Sequence, residues 1–354
     1  FNGVENYITE LEILLFDNSV NPDLNTMLPL TDFIARLEEI RSIIIEKHQS
    51  LYEDEINNFI NKVHLFGYHF ATLDIRQDSR VHHNVFSEIV STLQEHGNTE
   101  FPENYLDLSE SKQIEILSKV KGPIDIEIFN NEMVTKTLSS IIAIKSIQKS
   151  NGERGSNRYI ISNNQKALNV METFAMFNLC GFNHDITADI IPLFETITDL
   201  ENAEGVMDKL YENKAYMAHL AQRGHKQTIM LGFSDGTKDG GYLMANWAIF
   251  KAKENLTKIS RAYGIKVIFF DGRGGPPARG GGKTHQFYAS LGPSIENKEI
   301  QLTIQGQTIS SNFGTQDAAQ YNIEQLLSAG ISNELFSKVN NVMTKNEIEI
   351  IWSY

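Results

Sequence analysis

The sequence holds one cysteine, Cys180, in 354 residues. No internal disulfide can form, and a lone thiol fits a reducing cytosol. Positive charge is also scarce: 31 Lys and Arg stand against 45 Asp and Glu, a formal net charge of −14. A field of that sign opposes nucleic acid and anionic membrane as partners. An anionic substrate then needs a place where local Arg and Lys outweigh the global sign. No apolar run is long enough to span a bilayer, and no signal peptide is evident. Long polar tracts are missing as well, and with 21% charged residues disorder is not expected. What is present is 41% hydrophobic residues, enough for a sizeable core in one large or two ordinary domains. The chain opens at Phe1 inside a helical pattern, as expected of a piece of a longer polypeptide.

The first 150 residues read mainly as helix. Residues 4–16 place Ile8, Leu11 and Leu15 on one face, and 17–30 read as a loop. A long helical pattern fills 31–64, with a break near Gln49–Ser50. A strand is expected over 70–75, ending at Arg76. Helical patterns return over 81–96 and 108–149, the latter split near Gly122–Pro123. A beat of strand and helix then sets in. Strands are expected at 158–162, 187–194, 228–233, 265–270 and 300–304, each followed by a helical pattern. Such alternation argues for a parallel sheet. With the strand at 70–75 there are six units. An open doubly wound sheet of six strands and an incomplete eight-stranded barrel both fit.

Polar strand ends favour the barrel, which gathers all its strand C-termini around one mouth. Five of the six strands are followed by such a group: Arg76, Glu195, Asp235, Arg273 and Gln305. Glu195 and Asp235 are single carboxylates after successive strands. Two such oxygens suit Mg²⁺ or Mn²⁺, with water and substrate oxygens completing the shell, better than zinc. Arg76 and Arg273 suit bidentate capture of a phosphate or carboxylate, and the glycines around Arg273 let backbone N–H groups approach an anion. Lys238 adds a further positive charge. A cation and arginines over an anion suit enolate or phosphoryl chemistry, which builds negative charge on oxygen.

A carboxylate at a strand end is more often a cap or an ion-pair partner than a ligand; five coincident polar ends shift the balance to function. Residues 280–284, GGGKT, fail as a P-loop because the first glycine position is Pro277. Gly272 and Gly274 fail as a dinucleotide fingerprint for the same reason. His82 and His83 are adjacent and point apart on a helix, so surface histidines are expected rather than a metal pair. Cys180 and Trp247 are expected in the core.

The segments LDIRQDS (73–79), PLFET (192–196), LGFSDGTKDGG (231–241), GRGGPPARGGGKTH (272–285) and TIQGQTISSNFG (303–314) resemble phosphoenolpyruvate carboxylase, in order and spaced along most of the chain. The resemblance implies an α/β fold: a (β/α)8-type barrel, here incomplete at about six strands, with many additional helices. Residues 1–354 would form a single partial barrel domain of a longer enzyme, with 1–68 and 81–150 as mainly helical insertions. It implies a cytoplasmic lyase that carboxylates phosphoenolpyruvate with bicarbonate, giving oxaloacetate and phosphate through carboxyphosphate and a metal-stabilised enolate. Glu195 and Asp235 would be the ligands of Mg²⁺ or Mn²⁺. Arg76 and Arg273 would hold the phosphate, Lys238 matches the motif lysine, and Arg279 matches a loop arginine that in bacterial relatives also helps bind a dicarboxylate effector. The full-length protein would be an allosteric homotetramer.

Two departures from the family follow. Its usual residue before GRGG is His, where this chain has Asp271, so local charge falls unless another cation compensates. The N-terminal His-Pro motif and the C-terminal basic loop are missing. The expectation is therefore a central fragment that holds the metal ligands and part of the phosphate site but is inactive alone. The competing reading is a degenerate homologue that binds phosphate or dicarboxylate as a regulator without catalysis. A third reading makes the chain a helical scaffold whose polar loops only cap strands.

Overall fold

The structure, a computed structural model, describes residues 3–20, 28–275, 281–304 and 306–336. Arg279, Gln305 and the Pro276–Pro277 pair lie outside the described residues. The chain divides into two compact units, Phe1–Ile75 with Ser139–Arg158, and Arg76–Leu138 with Tyr159–Tyr354.

The first unit is built on α1 (Val4–Val20), α2 (Leu30–Lys47) and α3 (Glu53–Phe66). Phe33, Leu37, Ile40 and Ile44 fall three or four residues apart on α2 and bury one stripe against Val4, Leu11, Ile60 and Val63. Tyr68 stacks on Phe33, ring centroids 6.1 Å apart. The expected break near Gln49–Ser50 is present: Gln49, Ser50 and Tyr52 all take positive φ, which no helix continues through. The strand expected over 70–75 is displaced. Phe70 takes φ +58° and Leu73 is exposed, so the apolar alternation there belongs to a turn. The strand, β1, is Asp74–Asp78, and Arg76 sits at its centre rather than past its end.

The fold is α/β, an incomplete (β/α) barrel. Among the described residues one sheet has six parallel strands in sequential order: β1, β2 (Arg158–Ser162), β3 (Asp189–Phe194), β4 (Lys226–Leu231), β5 (Lys266–Gly274) and β6 (Ile300–Ile304). Between and after them run α4 (Ser79–Glu95), α5 (Glu110–Leu117), α6 (Glu132–Asn151), α7 (Ala167–Phe177), α8 (Ile197–Glu212), α9 (Lys214–Gln222), α10 (Phe233–Ala262), α11 (Thr284–Ser290), α12 (Gly306–Phe313) and α13 (Gln316–Phe336). In register, Phe194 lies beside Leu231, Leu231 beside Asp271, and Asp271 beside Leu302. The C-terminal ends of these strands are therefore level. One sheet face is closed by Ile160, Ile191, Leu193, Met230 and Phe270, drawn from four successive strands.

Differences from the sequence-based boundaries move the functional residues. Strand β4 stops at Leu231, and Phe233 already opens α10, so Asp235 and Lys238 ride on a helix rather than a strand end. That helix is two segments joined at Gly241, whose φ of +78° only glycine adopts readily. Strand β5 runs on through Arg273. The single helix expected after β3 is broken at Asn213, whose side chain accepts from the Ala215 and Tyr216 N–H groups and starts α9. Cys180 and Trp247 are buried as expected. His82 is not a surface histidine: it is fully buried, with Nε2 2.9 Å from the Tyr159 hydroxyl and Nδ1 3.0 Å from that of Thr173. The period-3.6 face of α4 turns His82 inward and leaves His83 half-exposed against Glu172, 2.7 Å away.

Candidate active site

Glu195 follows β3 and is fixed from both sides. Thr196 and Asp199 form a reciprocal cap that starts α8, Thr196 Oγ1 accepting from the Asp199 N–H and Asp199 Oδ2 from the Thr196 N–H. The backbone at 195 is thus set by a helix start. Its side chain is only 17% exposed and both oxygens are engaged. Oε1 accepts from Arg76 Nη2 at 3.0 Å, and Oε2 from the Asn163 backbone N–H at 2.8 Å. Residues 119 apart in sequence therefore meet. Asn163 itself is held by Ser79, whose hydroxyl donates to the Asn163 carbonyl at 2.6 Å.

The next strand end closes on the same glutamate. The Gly232 N–H donates to the Phe194 carbonyl at 2.8 Å. A Cβ at Gly232 would come within 3.1 Å of Glu195 Cα and Cγ, so any larger residue would make Glu195 give way. Gly236, one turn into α10, faces the Glu195 carbonyl. Between these two glycines stands Asp235, whose Oδ1 accepts from Lys238 Nζ at 2.7 Å across one helical turn. Asp239 reaches back to the start of α8, its Oδ2 accepting from the Ile197 N–H at 3.1 Å.

Arg273 is prepared differently. It is 5% exposed. Its guanidinium carbon lies 4.2 Å from the Phe287 ring centroid and 5.3 Å from that of Phe233, and Nη1 donates to Asn246 Oδ1 at 2.9 Å. A Cβ at Gly282 would come within 3.4 Å of Arg273 Nη2, so the returning loop passes directly over the guanidinium. Asp271, two residues earlier, is fully buried and accepts on Oδ2 from Lys253 Nζ at 2.7 Å and from the Tyr288 hydroxyl at 2.6 Å. Asp271 is thus paired with a buried cation, Lys253.

The structure joins Arg76 to Glu195 and Lys238 to Asp235, and sets the Asp235 turn against Glu195. It seats Arg273 on Phe233, the residue next to Gly232. Arg279 lies outside the described residues. Sequence reasoning missed Asn163, Asn246, Phe287 and Lys253. Asn163 acts through its backbone, which no side-chain pattern reveals. In K-A-K-E (251–254), Lys251 pairs with Glu254, and no sequence pattern marks which of the two lysines turns inward.

As a cation site, the donor set is oxygen only and anionic, which fits Mg²⁺ or Mn²⁺. Among the described residues no group of three or more His, Cys, Asp or Glu could hold a metal. Two carboxylates leave the remaining positions to water and substrate, as hard divalent cations prefer. Among the described residues no helix is long and apolar enough to cross a membrane.

A sequence model of the family described as phosphoenolpyruvate carboxylase matches residues 15–348. The phosphoenolpyruvate carboxylase of Nitrosomonas europaea is 32% identical over 308 residues, 84% of this chain and 32% of the relative. That of Nitrosomonas eutropha is 32% identical over 327 residues, 89% of this chain and 34% of the relative. The chain thus spans about a third of the length of these curated relatives. With a match across nearly its whole length and Glu195, Arg76 and the Asp235 turn assembled at one end of the sheet, this chain belongs to the phosphoenolpyruvate carboxylase family.

Proposed function

We propose that this chain carries the cation-holding and part of the phosphate-holding machinery of an enzyme that carboxylates phosphoenolpyruvate with bicarbonate. The observation that carries the reading is the clamped position of Glu195, between Arg76 and the Asn163 N–H and against the turn that bears Asp235. Glu195 and Asp235 would hold Mg²⁺ or Mn²⁺, and a cation there stabilises negative charge on substrate oxygen. Arg76 and Arg273 orient the phosphate through forked N–H groups, and Lys238 adds charge. A bicarbonate oxygen attacks phosphorus and the bond to the enol oxygen breaks, giving carboxyphosphate and an enolate. Carboxyphosphate then splits to carbon dioxide and phosphate, and the enolate carbon takes the carbon dioxide to form oxaloacetate. The arginines favour this course because charge on the phosphoryl and enol oxygens grows towards the transition state.

The chain is a single partial barrel domain of a longer enzyme, inactive alone. Arg279 serves a dicarboxylate effector, the longer protein is a homotetramer, and its place is the cytoplasm. Binding of Mn²⁺ followed by electron paramagnetic resonance tests the core of the reading. Glu195→Ala and Asp235→Ala should each weaken binding by about tenfold or more, one lost carboxylate ligand. Wild-type affinity in both variants refutes the site, and full carboxylase turnover by the purified chain refutes its inactivity. A second reading, a phosphate- or dicarboxylate-binding member without catalysis, draws on Asp271: its carboxylate is committed to Lys253 and Tyr288 where the family has His.

A further inference from the structure

We propose that Lys253 and Asp271 work as one buried ion pair whose role is to position Arg273 for anion capture, which makes Lys253 a positioning residue and leaves Asp271 no part in proton transfer. The inference rests on the reading that Arg273 meets the anion.

Lys253 and Asp271 have side chains 1% and 0% exposed. A buried ammonium costs several kcal/mol unless it is paired, and removing either partner strands the other. Asp271 Oδ2 takes both available donors, Lys253 Nζ and the Tyr288 hydroxyl, while Oδ1 has no partner among the described residues. Burial lowers the proton affinity of Lys253, with Asp271 opposing, and raises that of Tyr288, which keeps the phenol a donor.

Besides Phe233 and Asn246, Arg273 has two supports, and this pair touches both. The first is its own strand end, where Asp271 lies two residues before Arg273 on β5. The second is the Phe287 ring. Lys253 Nζ is 5.0 Å from the Phe287 centroid, and the Arg273 guanidinium carbon is 4.2 Å from the same centroid. Nζ also lies 4.9 Å from the centroid of Phe269 on β5 and 5.5 Å from that of Tyr288 on α11. One ammonium thus ties α10 to the end of β5 and to the helix whose ring carries Arg273.

The test is sulfate binding to this chain by calorimetry near neutral pH, with thermal midpoints measured alongside. Arg273→Met should lose about tenfold or more in affinity, as expected for a forked charge-assisted contact. Lys253→Met should lose a similar factor and also melt earlier. Lys253→Met/Asp271→Asn removes both charges, so its thermal midpoint should recover while sulfate affinity stays low. That split separates positioning from bulk stability, because a purely structural role moves both together. Should Lys253→Met fail to fold, Tyr288→Phe deletes only one donor to Asp271 and should lower affinity a few-fold. Recovery of affinity together with stability in the double variant overturns the proposal. So does wild-type affinity in Lys253→Met or Tyr288→Phe while Arg273→Met binds weakly. Wild-type affinity in Arg273→Met instead overturns the reading of Arg273 and this inference with it.

Discussion

Gly232→Ala is the sharpest single perturbation of the site. Gly232 has φ −88° and ψ 114°, a conformation open to any L residue, so alanine brings no backbone strain. Its cost is contact alone. The new Cβ would lie 3.1 Å from Glu195 Cα and Cγ and 3.4 Å from Glu195 Cβ. The strand ends cannot simply part, because the Gly232 N–H is bonded to the Phe194 carbonyl at 2.8 Å. Overpacking of this kind costs about 1–3 kcal/mol. Reduced freedom of the unfolded chain returns about 0.4–1 kcal/mol. The net destabilisation of about 1–2 kcal/mol corresponds to a fall in melting temperature of roughly 2–8 °C for a unit of this size. Glu195 is the neighbour that must give, so its pairing with Arg76 and its affinity for Mn²⁺ should weaken together. Gly236→Ala is the control. Its Cβ meets the Glu195 carbonyl at 3.4 Å and Ala245 Cβ at 3.5 Å, ordinary contact distances, inside a helix. Alanine there should stabilise by about 0.5–1 kcal/mol. Circular dichroism melts and Mn²⁺ titration of both variants decide the matter. If Gly232→Ala melts and binds like the wild type, or if both variants fall equally, the close approach at Glu195 is not what holds this corner.

Two further outcomes follow from buried titratable groups. Burial pushes His82 down to about 4 and His219 to about 3, from an ordinary 6.5. Both stay neutral in the fold, and the unfolded chain binds more protons, so stability is full above about 6.5 and is lost as pH falls towards 4. Each should contribute on the order of a few kcal/mol to acid lability. Urea unfolding at pH 7.5, 6 and 5 reads this slope, and a slope unchanged in His82→Gln removes His82 from the account. His83 behaves in the opposite sense. Its hydrogen bond to Glu172 raises its titration above the ordinary value, against the lowering effect of burial. In Glu172→Gln the imidazole should titrate at lower pH by nuclear magnetic resonance, and an unmoved titration refutes the pairing.

Much of the fold could be read from periodicity because strands β2 to β5 are largely buried on both faces. Ile160 and Ile161 in β2, and Ile190 to Phe194 in β3, make continuous apolar runs that admit few alternatives. Strand β1 misled for the converse reason. Its residues are only partly buried, so Phe70 and Leu73, apolar but exposed in the preceding turn, gave the stronger pattern. Helix α10 begins at Phe233, the last residue of the strand expected over 228–233. Glycines 236, 240 and 241 look like a loop, and propensity gave way to packing of that turn against Glu195 and Ile197. Among the candidate site residues, those that side-chain motifs point to are Arg76, Glu195, Asp235, Lys238 and Arg273. No motif points to their supports. A backbone donor at 163 has no signature, and the inward turn of Lys253 depends on which face α10 presents to β5.

The two arginines illustrate why those supports matter as much as the charges. Arg273 is desolvated in the fold, stacked between Phe233 and Phe287 and bonded to Asn246, so its orientation is settled before any anion arrives. Arg76 is 47% exposed and spends one Nη donor on Glu195. On the proposed function, an anion approaching Arg76 competes with that carboxylate. A cation on Glu195 offsets the charge that Arg76 now balances, and so frees the guanidinium to turn to the anion. Cation and anion then favour each other's binding through Arg76, as linkage requires of any shared partner. No such exchange is needed at Arg273, whose rings and amide partner already fix the guanidinium. The same guanidinium chemistry therefore serves two ends, a fixed anchor at 273 and an exchangeable one at 76. Which end an arginine serves is set by whether packed rings or an exchangeable carboxylate hold it.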